Sequence, residues 1–194
     1  MENTLESSKK SIYYPPGGIL IWFLIILEIF TFLGASMVFL SYKSDALEEF
    51  KIGQEFLSQT VGTINTIILI TSGYFIANAV HYLRINDFKK TSLATTISLV
   101  LGVLFLLLKG MEYYQKINMG IGFEYNTFFT FYWLMTGFHF VHVLFGVGLL
   151  SYLTLALKKQ KYNAENMFDV ESIATYWHMC DLIWILIFPL LYLL

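Results

Sequence analysis

Charged residues and cysteine are both scarce in this sequence. Asp, Glu, Lys and Arg make up 13% of the 194 residues, against about 25% in a typical soluble domain, and 57% of residues are hydrophobic. This composition excludes a soluble enzyme. The net charge of −2 offers no basic region for phosphate backbones, which excludes nucleic acid as a partner. The single cysteine, Cys180, cannot form an intrachain disulfide and lies in an apolar run, which is typical of a small buried hydrophobe.

Five apolar stretches are long enough to cross a membrane, since a helix needs about 20 mostly apolar residues to span about 30 Å of hydrocarbon. They cover approximately residues 19–40, 61–83, 91–114, 126–157 and 173–194. We therefore predict an all-α fold, a polytopic membrane bundle of five transmembrane helices formed by residues 19–194, with a polar N-terminal segment at 1–18. The first stretch lacks a small-residue cleavage site after it, so we expect it to remain as a helix.

Lysine and arginine are distributed unevenly between the two sides of the predicted bundle. Five spans place the N-terminal segment and the loops 84–90 and 158–172 on one side, and the loops 41–60 and 115–125 on the other. The first side carries eight of these residues and the second carries three. Because cytoplasmic loops are enriched in Lys and Arg, we predict a cytoplasmic N-terminus and an external C-terminus.

The fourth and fifth stretches carry polar residues at depths where a charged group is costly. His139 and His142 are three residues apart, as are His178 and Asp181, so each pair can share a helix face. We predict an intramembrane polar network in which Asp181 could hold a histidine. Its members are His139, His142, His178, Asp181 and Thr136. A packing network, a proton path and a metal site all fit these residues, and a haem held by His142 and His178 is a further alternative.

Three other residues carry charge within the apolar stretches. Glu28 has no cation within a turn of its own helix, which indicates either a hydrogen-bonding group directed at another helix or a proton-handling group. Lys109 and Glu112 are three residues apart near the outer end of the third stretch, where a lysine can extend towards water. We expect these two residues to form an outer-edge charge pair.

Five short sequence motifs, here called blocks, occur one after another along the chain. The most specific are TGFHFVHVLFG at 136–146 and YWHMCDLIW at 176–184. Upstream lie W-x5-E from Trp22 to Glu28, NT followed by a small polar patch at 65–73, and LGxxFLxxxxxEY at 101–113. In this order the blocks resemble subunit III of the haem-copper oxidases, the cytochrome c and quinol oxidase superfamily. The resemblance is to a short five-helix form that lacks the first two helices of the seven-helix subunit.

The resemblance implies an accessory subunit with no catalytic residues and no metal or other redox centre of its own. Haem and copper would lie in the partners, which are the catalytic subunit I and subunit II of a proton-translocating respiratory complex in the bacterial inner membrane. The family forms a V-shaped pair of helix bundles whose cleft holds phospholipid, and it supports proton uptake. Glu28 and Trp22 match its lipid-cleft positions. Glu112, His139, His142, His178 and Asp181 match recurrent polar positions that are structural in the family.

Three residues depart from the pattern of the oxidase subunits. Lys109 occupies a position where glutamine is common, and Met179 and Cys180 replace the usual Phe-Val. Lys109, together with NTFFTFYWLMTG at 126–137, resembles the branch that accompanies bacterial nitric oxide reductases. A nitric oxide reductase catalytic subunit, serving denitrification, is therefore the alternative partner.

Overall fold

A computed structural model describes residues 15–194, and the regular structure of this range is helical. The helices are α1 (Ile19–Asp45), α2 (Leu47–Glu55), α3 (Gln59–Arg84), α4 (Phe88–Asn118), α5 (Thr127–Lys158) and α6 (Phe168–Phe188), which continues into a π-helical turn at Pro189–Leu193. Five of them are long and apolar enough to cross a membrane, which confirms the five predicted spans. The predicted segment 1–18 lies mostly outside the described residues.

Polar capping residues set where three of the spanning helices begin. The side chains of Ser58, Asp87 and Asn126 accept hydrogen bonds from backbone N–H groups three residues further on, at the first turns of α3, α4 and α5. These acceptors satisfy N–H groups that have no partner within a helix. Helices α3 and α4 consequently begin before the apolar stretches that predicted them and extend beyond their ends.

Helix α6 lies at the centre of the bundle, against α1, α3 and α5. Its Trp177 fits between helices because α4 and α5 present Gly102 and Gly146 to the indole ring. A Cβ atom on either glycine would lie within 3 Å of that ring. The indole nitrogens of Trp177 and Trp184 donate to Ser72 Oγ at 3.1 Å and Thr66 Oγ1 at 2.9 Å. Two buried tryptophans therefore fix α6 against α3.

The described residues form one bundle rather than the V-shaped pair that the resemblance implied. Helix α4 packs between α3 and α5, and α1 packs on α5 and α6. The opposite side of α1 is exposed and apolar, with Leu20, Phe23 and Phe30 each more than 60% accessible. A cleft between two bundles is therefore absent from residues 15–194, and α1 presents an open apolar face instead.

The predicted loop 41–60 is partly wrong, because it contains helix α2. Phe50, Gly53 and Leu57 of this segment are buried, and the Phe50 ring packs against Phe39 and Phe128 with centroids 5.0 and 5.7 Å away. Their spacing of three and four residues is the helical signal that a loop interpretation overlooks. Helix α2 therefore closes one end of the bundle.

The connections lie at two opposite ends of the bundle, as predicted. At the α2 end, defined by Leu47–Glu55, the Lys116 ammonium donates to the Phe56 carbonyl oxygen and Gln54 Nε2 donates to Leu191 O. At the other end, here called the Arg84 end, Arg84 pairs with Glu171 at 3.0 Å. Ser172 Oγ also donates there to Gly17 O at 3.0 Å.

Candidate functional site

Glu28 of α1 meets His142 of α5. Glu28 Oε1 lies 3.3 Å from His142 Nε2, and both side chains are 13% exposed. His142 Nδ1 lies 2.8 Å from the Phe138 carbonyl oxygen, which can only accept, so Nδ1 carries a proton. The Glu28 carboxyl group therefore lies against the imidazole nitrogen that is free of this backbone contact.

Glu28 also borders an apolar groove of about 590 Å³ on the outer side of α1. The groove extends from Gly17 past Phe23 and Leu27, with Ser172 of α6 at its edge. Glu28 Oε2 is buried and has no protein partner. Trp22 makes a separate contact, since its indole nitrogen donates to Pro16 O at 3.0 Å. The groove is thus an apolar channel with one carboxyl group at its inner end.

His178 and Asp181 form a second pair on α6, with His178 Nδ1 3.2 Å from Asp181 Oδ2. The aspartate is buried against Gly73 of α3, where a Cβ atom would lie 2.0 Å from Oδ2. His178 is 42% exposed on its side chain. Gly73 therefore provides the space for a carboxyl group between α3 and α6.

His139 and Thr136 face the core. The fully buried His139 ring stacks on Trp184 with centroids 5.2 Å apart, and Phe105 packs edge-on against it. Thr136 Oγ1 donates to Tyr132 O and accepts from Tyr113 OH at 3.0 Å. His139 lies in the core, whereas His142, three residues further along α5, contacts Glu28 of α1. The predicted network is thus divided into separate groups.

Lys109 and Glu112 form an ion pair of 3.1 Å, and only 1% and 7% of their side chains are exposed. Two tyrosines complete the cluster, since Tyr132 OH and Tyr192 OH donate to Glu112 Oε1 at 2.6 and 2.7 Å. The ammonium also lies 4.8 to 5.4 Å from the ring centroids of Tyr132, Tyr113, Tyr192 and Trp184. These aromatic rings enclose the ammonium, so the pair lies inside the bundle and the lysine does not extend towards water.

Sequence reasoning missed the tyrosines of this cluster. Tyr132 lies 20 residues from Glu112 in an aromatic-rich segment, and Tyr192 lies 80 residues away. No short-range spacing connects them to the charge pair.

His142 and His178 contact different carboxyl groups of this chain. His142 faces Glu28 and His178 faces Asp181, so the structure does not present these two rings as a facing pair of haem ligands. Within residues 15–194, no group of three or more His, Cys, Asp or Glu side chains is arranged to hold a metal ion.

Fold and site together define a multi-pass helical membrane protein that contains several pairs of buried polar side chains. The sequence matches the family described as "Cytochrome c oxidase subunit III" over residues 17–194, which confirms the resemblance. The chain belongs to the cytochrome c oxidase subunit III family.

Individual relatives carry the name "Cytochrome c oxidase subunit 3". The protein from Oncorhynchus clarkii is 33% identical over 133 residues, which cover 68% of this chain and 49% of the relative. The protein from Thermostichus vulcanus is 35% identical over 135 residues, 69% of this chain and 66% of the relative. The protein from Synechocystis sp. is 30% identical over 209 aligned residues, 100% of this chain and 88% of the relative. The chain spans about half the length of the first of these relatives.

Proposed function

We propose that this chain is the accessory, redox-centre-free subunit III of a respiratory haem-copper terminal oxidase in a bacterial cytoplasmic membrane. The observation that carries the proposal is the family match over residues 17–194, because it includes all five spanning helices. Haem and copper then belong to the partner subunits I and II. The side-chain geometry supports this division, since His142 and His178 each contact a carboxyl group of this chain.

The proposed role is to stabilise the catalytic subunit, to hold phospholipid and to support proton uptake. The exposed apolar face of α1 is suited to a hydrophobic partner subunit or to acyl chains. The groove beside it ends at Glu28, whose carboxyl group contacts His142 of α5. An acyl chain fits the apolar walls of this groove, and the Glu28–His142 pair offers a protonation site beside it.

We also propose that the Arg84 end faces the cytoplasm. The loops at this end, together with the N-terminal segment, carry eight lysine and arginine residues, whereas the α2 end carries three. The positive-inside rule then places α2 on the external side.

An accessory protein of a bacterial nitric oxide reductase is the second candidate. The observation that favours it is Lys109, which replaces the glutamine common in oxidase subunits and is enclosed in the Glu112 cluster. Both candidates use the same fold and differ in the catalytic subunit that binds to it.

Co-purification tests the proposal and separates the two candidates. The chain would be tagged at its C-terminus and solubilised from native membranes in mild detergent, and the proteins that co-purify would be identified by mass spectrometry. Membranes with the untagged chain serve as the control. We expect an oxidase subunit I with a copper-bearing subunit II. A nitric oxide reductase catalytic subunit would support the second candidate instead, and a chain that purifies alone would contradict both.

A further inference from the structure

A second groove lies between α3 and α4 at the Arg84 end of the bundle. It measures about 310 Å³, and its apolar lining includes Phe75 of α3 and Leu93, Ala94 and Ile97 of α4. Ala94 is 5% exposed and forms the floor, because its small side chain leaves space between larger neighbours. This groove is separate from the one beside Glu28, which is formed by α1 and α6.

The α3/α4 groove runs from the bundle end towards the middle of the membrane. Lys90 and Ile97 are seven residues apart on α4, which corresponds to about 10 Å along the helix axis. Deeper in the bundle the two helices are joined, since Ser72 Oγ donates to Ser98 O at 2.8 Å. The Lys90 end of the groove thus lies at the membrane interface, and the apolar part of the groove lies within the hydrocarbon.

A cation lies at the interfacial end of the groove. Lys90 lines the groove, and its Nζ is 5.6 Å from the ring centroid of Tyr82, which also lines it. Asp87 accepts one hydrogen bond from this ammonium at 3.0 Å. An ammonium has three donors, so two remain available for another acceptor.

An apolar groove that ends at an interfacial lysine is complementary to a lipid with an anionic headgroup and an apolar acyl chain. Acyl chains pack against apolar helix surfaces, and a lysine near the membrane surface attracts anionic headgroups. A zwitterionic headgroup lacks the net negative charge that Lys90 would select. The positions of Lys90 and Ile97 match the order of headgroup and acyl chain in a phospholipid.

We infer that the α3/α4 groove binds an anionic phospholipid, with its headgroup at Lys90 and Tyr82 and an acyl chain along Phe75, Leu93 and Ile97. The site is distinct from the Glu28 groove and does not depend on which catalytic subunit the chain accompanies. It gives this face of the bundle selectivity for lipid charge.

Native mass spectrometry of the purified protein, with any bound subunits, tests the site. The sample would be incubated with equal amounts of phosphatidylglycerol and phosphatidylcholine that carry identical acyl chains, and the retained lipids would be counted. We expect preferential retention of phosphatidylglycerol. Lys90→Gln should lower the phosphatidylglycerol-to-phosphatidylcholine ratio about fivefold, whereas Lys90→Arg should keep it.

Lys89→Gln is the matched control, because it removes the same charge from the adjacent residue outside the groove lining. Its ratio should stay close to that of the unmodified chain. Equal loss in both glutamine variants would show a diffuse charge effect and overturn the site. An unchanged ratio in Lys90→Gln would also overturn it. Equal elution profiles of all variants in gel filtration establish that each remains folded.

Discussion

At the scale of single residues, the substitution Glu28→Gln keeps the shape of the Glu28 side chain and removes its carboxyl group. In Glu28→Gln the amide can still donate to His142 Nε2, so the helix contact is preserved while the carboxyl group is lost. We expect normal assembly of the complex but weaker lipid retention or a shorter active lifetime during sustained turnover. Lipid analysis and a turnover time course on the purified complex measure both quantities.

Glu55→Gln provides the comparison for that variant. Glu55 is exposed on α2, so its substitution should alter neither lipid content nor active lifetime. If Glu28→Gln also leaves both quantities unchanged, the carboxyl group of Glu28 has no role in lipid retention or turnover.

The turn between α3 and α4 contains a carboxyl group that responds to pH. The hydrogen bond from the Lys90 side chain holds the pKa of Asp87 below its usual value. Because the folded-state pKa is lowered, the contribution of this pair is present above the unfolded pKa and is lost as the pH falls through the folded pKa. Asp87 also caps α4, so its protonation should loosen the first turn of that helix.

A carboxyl-carbon NMR titration of Asp87 checks this effect. Lys90→Gln should raise the pKa of Asp87 towards its usual value. Lys89→Gln should have a smaller effect, because Lys89 acts on Asp87 only through its charge. Identical titration curves for the original chain and Lys90→Gln would show that the hydrogen bond does not form in solution.

At the scale of helices, the junction of α3 and α6 depends on the space beside Gly73. Gly73→Ala would place a Cβ atom 2.0 Å from Asp181 Oδ2, so the Asp181 carboxyl group or the helices must shift. We expect a loss of about 1–3 kcal/mol in stability, measured as thermal unfolding in detergent. Gly34→Ala is the matched control, because no atom lies within 4 Å of its added Cβ.

The same junction predicts non-additive effects. Asp181→Ala alone should lower assembly yield, because it leaves His178 without its acceptor at a cost of about 1–3 kcal/mol. The double variant Gly73→Ala/Asp181→Ala removes the colliding oxygen, so it should be more stable than the sum of the two losses predicts. Strict additivity would mean that Gly73 and Asp181 do not contact each other.

The Lys109–Glu112 cluster connects α4, α5 and the C-terminal turn through one carboxylate. Glu112→Gln leaves the buried ammonium without a counter-charge and should cost about 3–5 kcal/mol. Lys109→Met should cost less, because Glu112 keeps the hydroxyl donors of Tyr132 and Tyr192. Thermal unfolding of both variants in one detergent gives the order, and a larger loss for Lys109→Met would contradict it.

The sequence predicts the long helices better than it predicts their contacts. Apolar length identifies the five spans, because the hydrocarbon thickness sets that length. Helix α2 is missed because its buried face, Phe50 and Gly53, is short and lies between charged residues.

The sequence likewise predicts a pair of side chains that lie close together along the chain, but not pairs that lie far apart along it. The pair His178 and Asp181 follows from local spacing, since both lie on one helix. Glu28 and His142 lie 114 positions apart along the chain, so only the packing of α1 on α5 brings them together. The enclosure of Lys109 by Tyr132 and Tyr192 is equally a product of tertiary structure.

At the scale of the whole molecule, the charge asymmetry predicts which end faces the cytoplasm. Single cysteines introduced by Glu55→Cys at the α2 end and Lys159→Cys at the Arg84 end would report this orientation. The native Cys180 is buried and should remain unlabelled in the folded protein. In intact cells whose outer envelope has been made permeable to the reagent, a maleimide that cannot cross the cytoplasmic membrane should label Glu55→Cys. Lys159→Cys should react only after that membrane is opened. The reverse labelling pattern would contradict the proposed topology. It would also place the Lys90 groove in the outer leaflet.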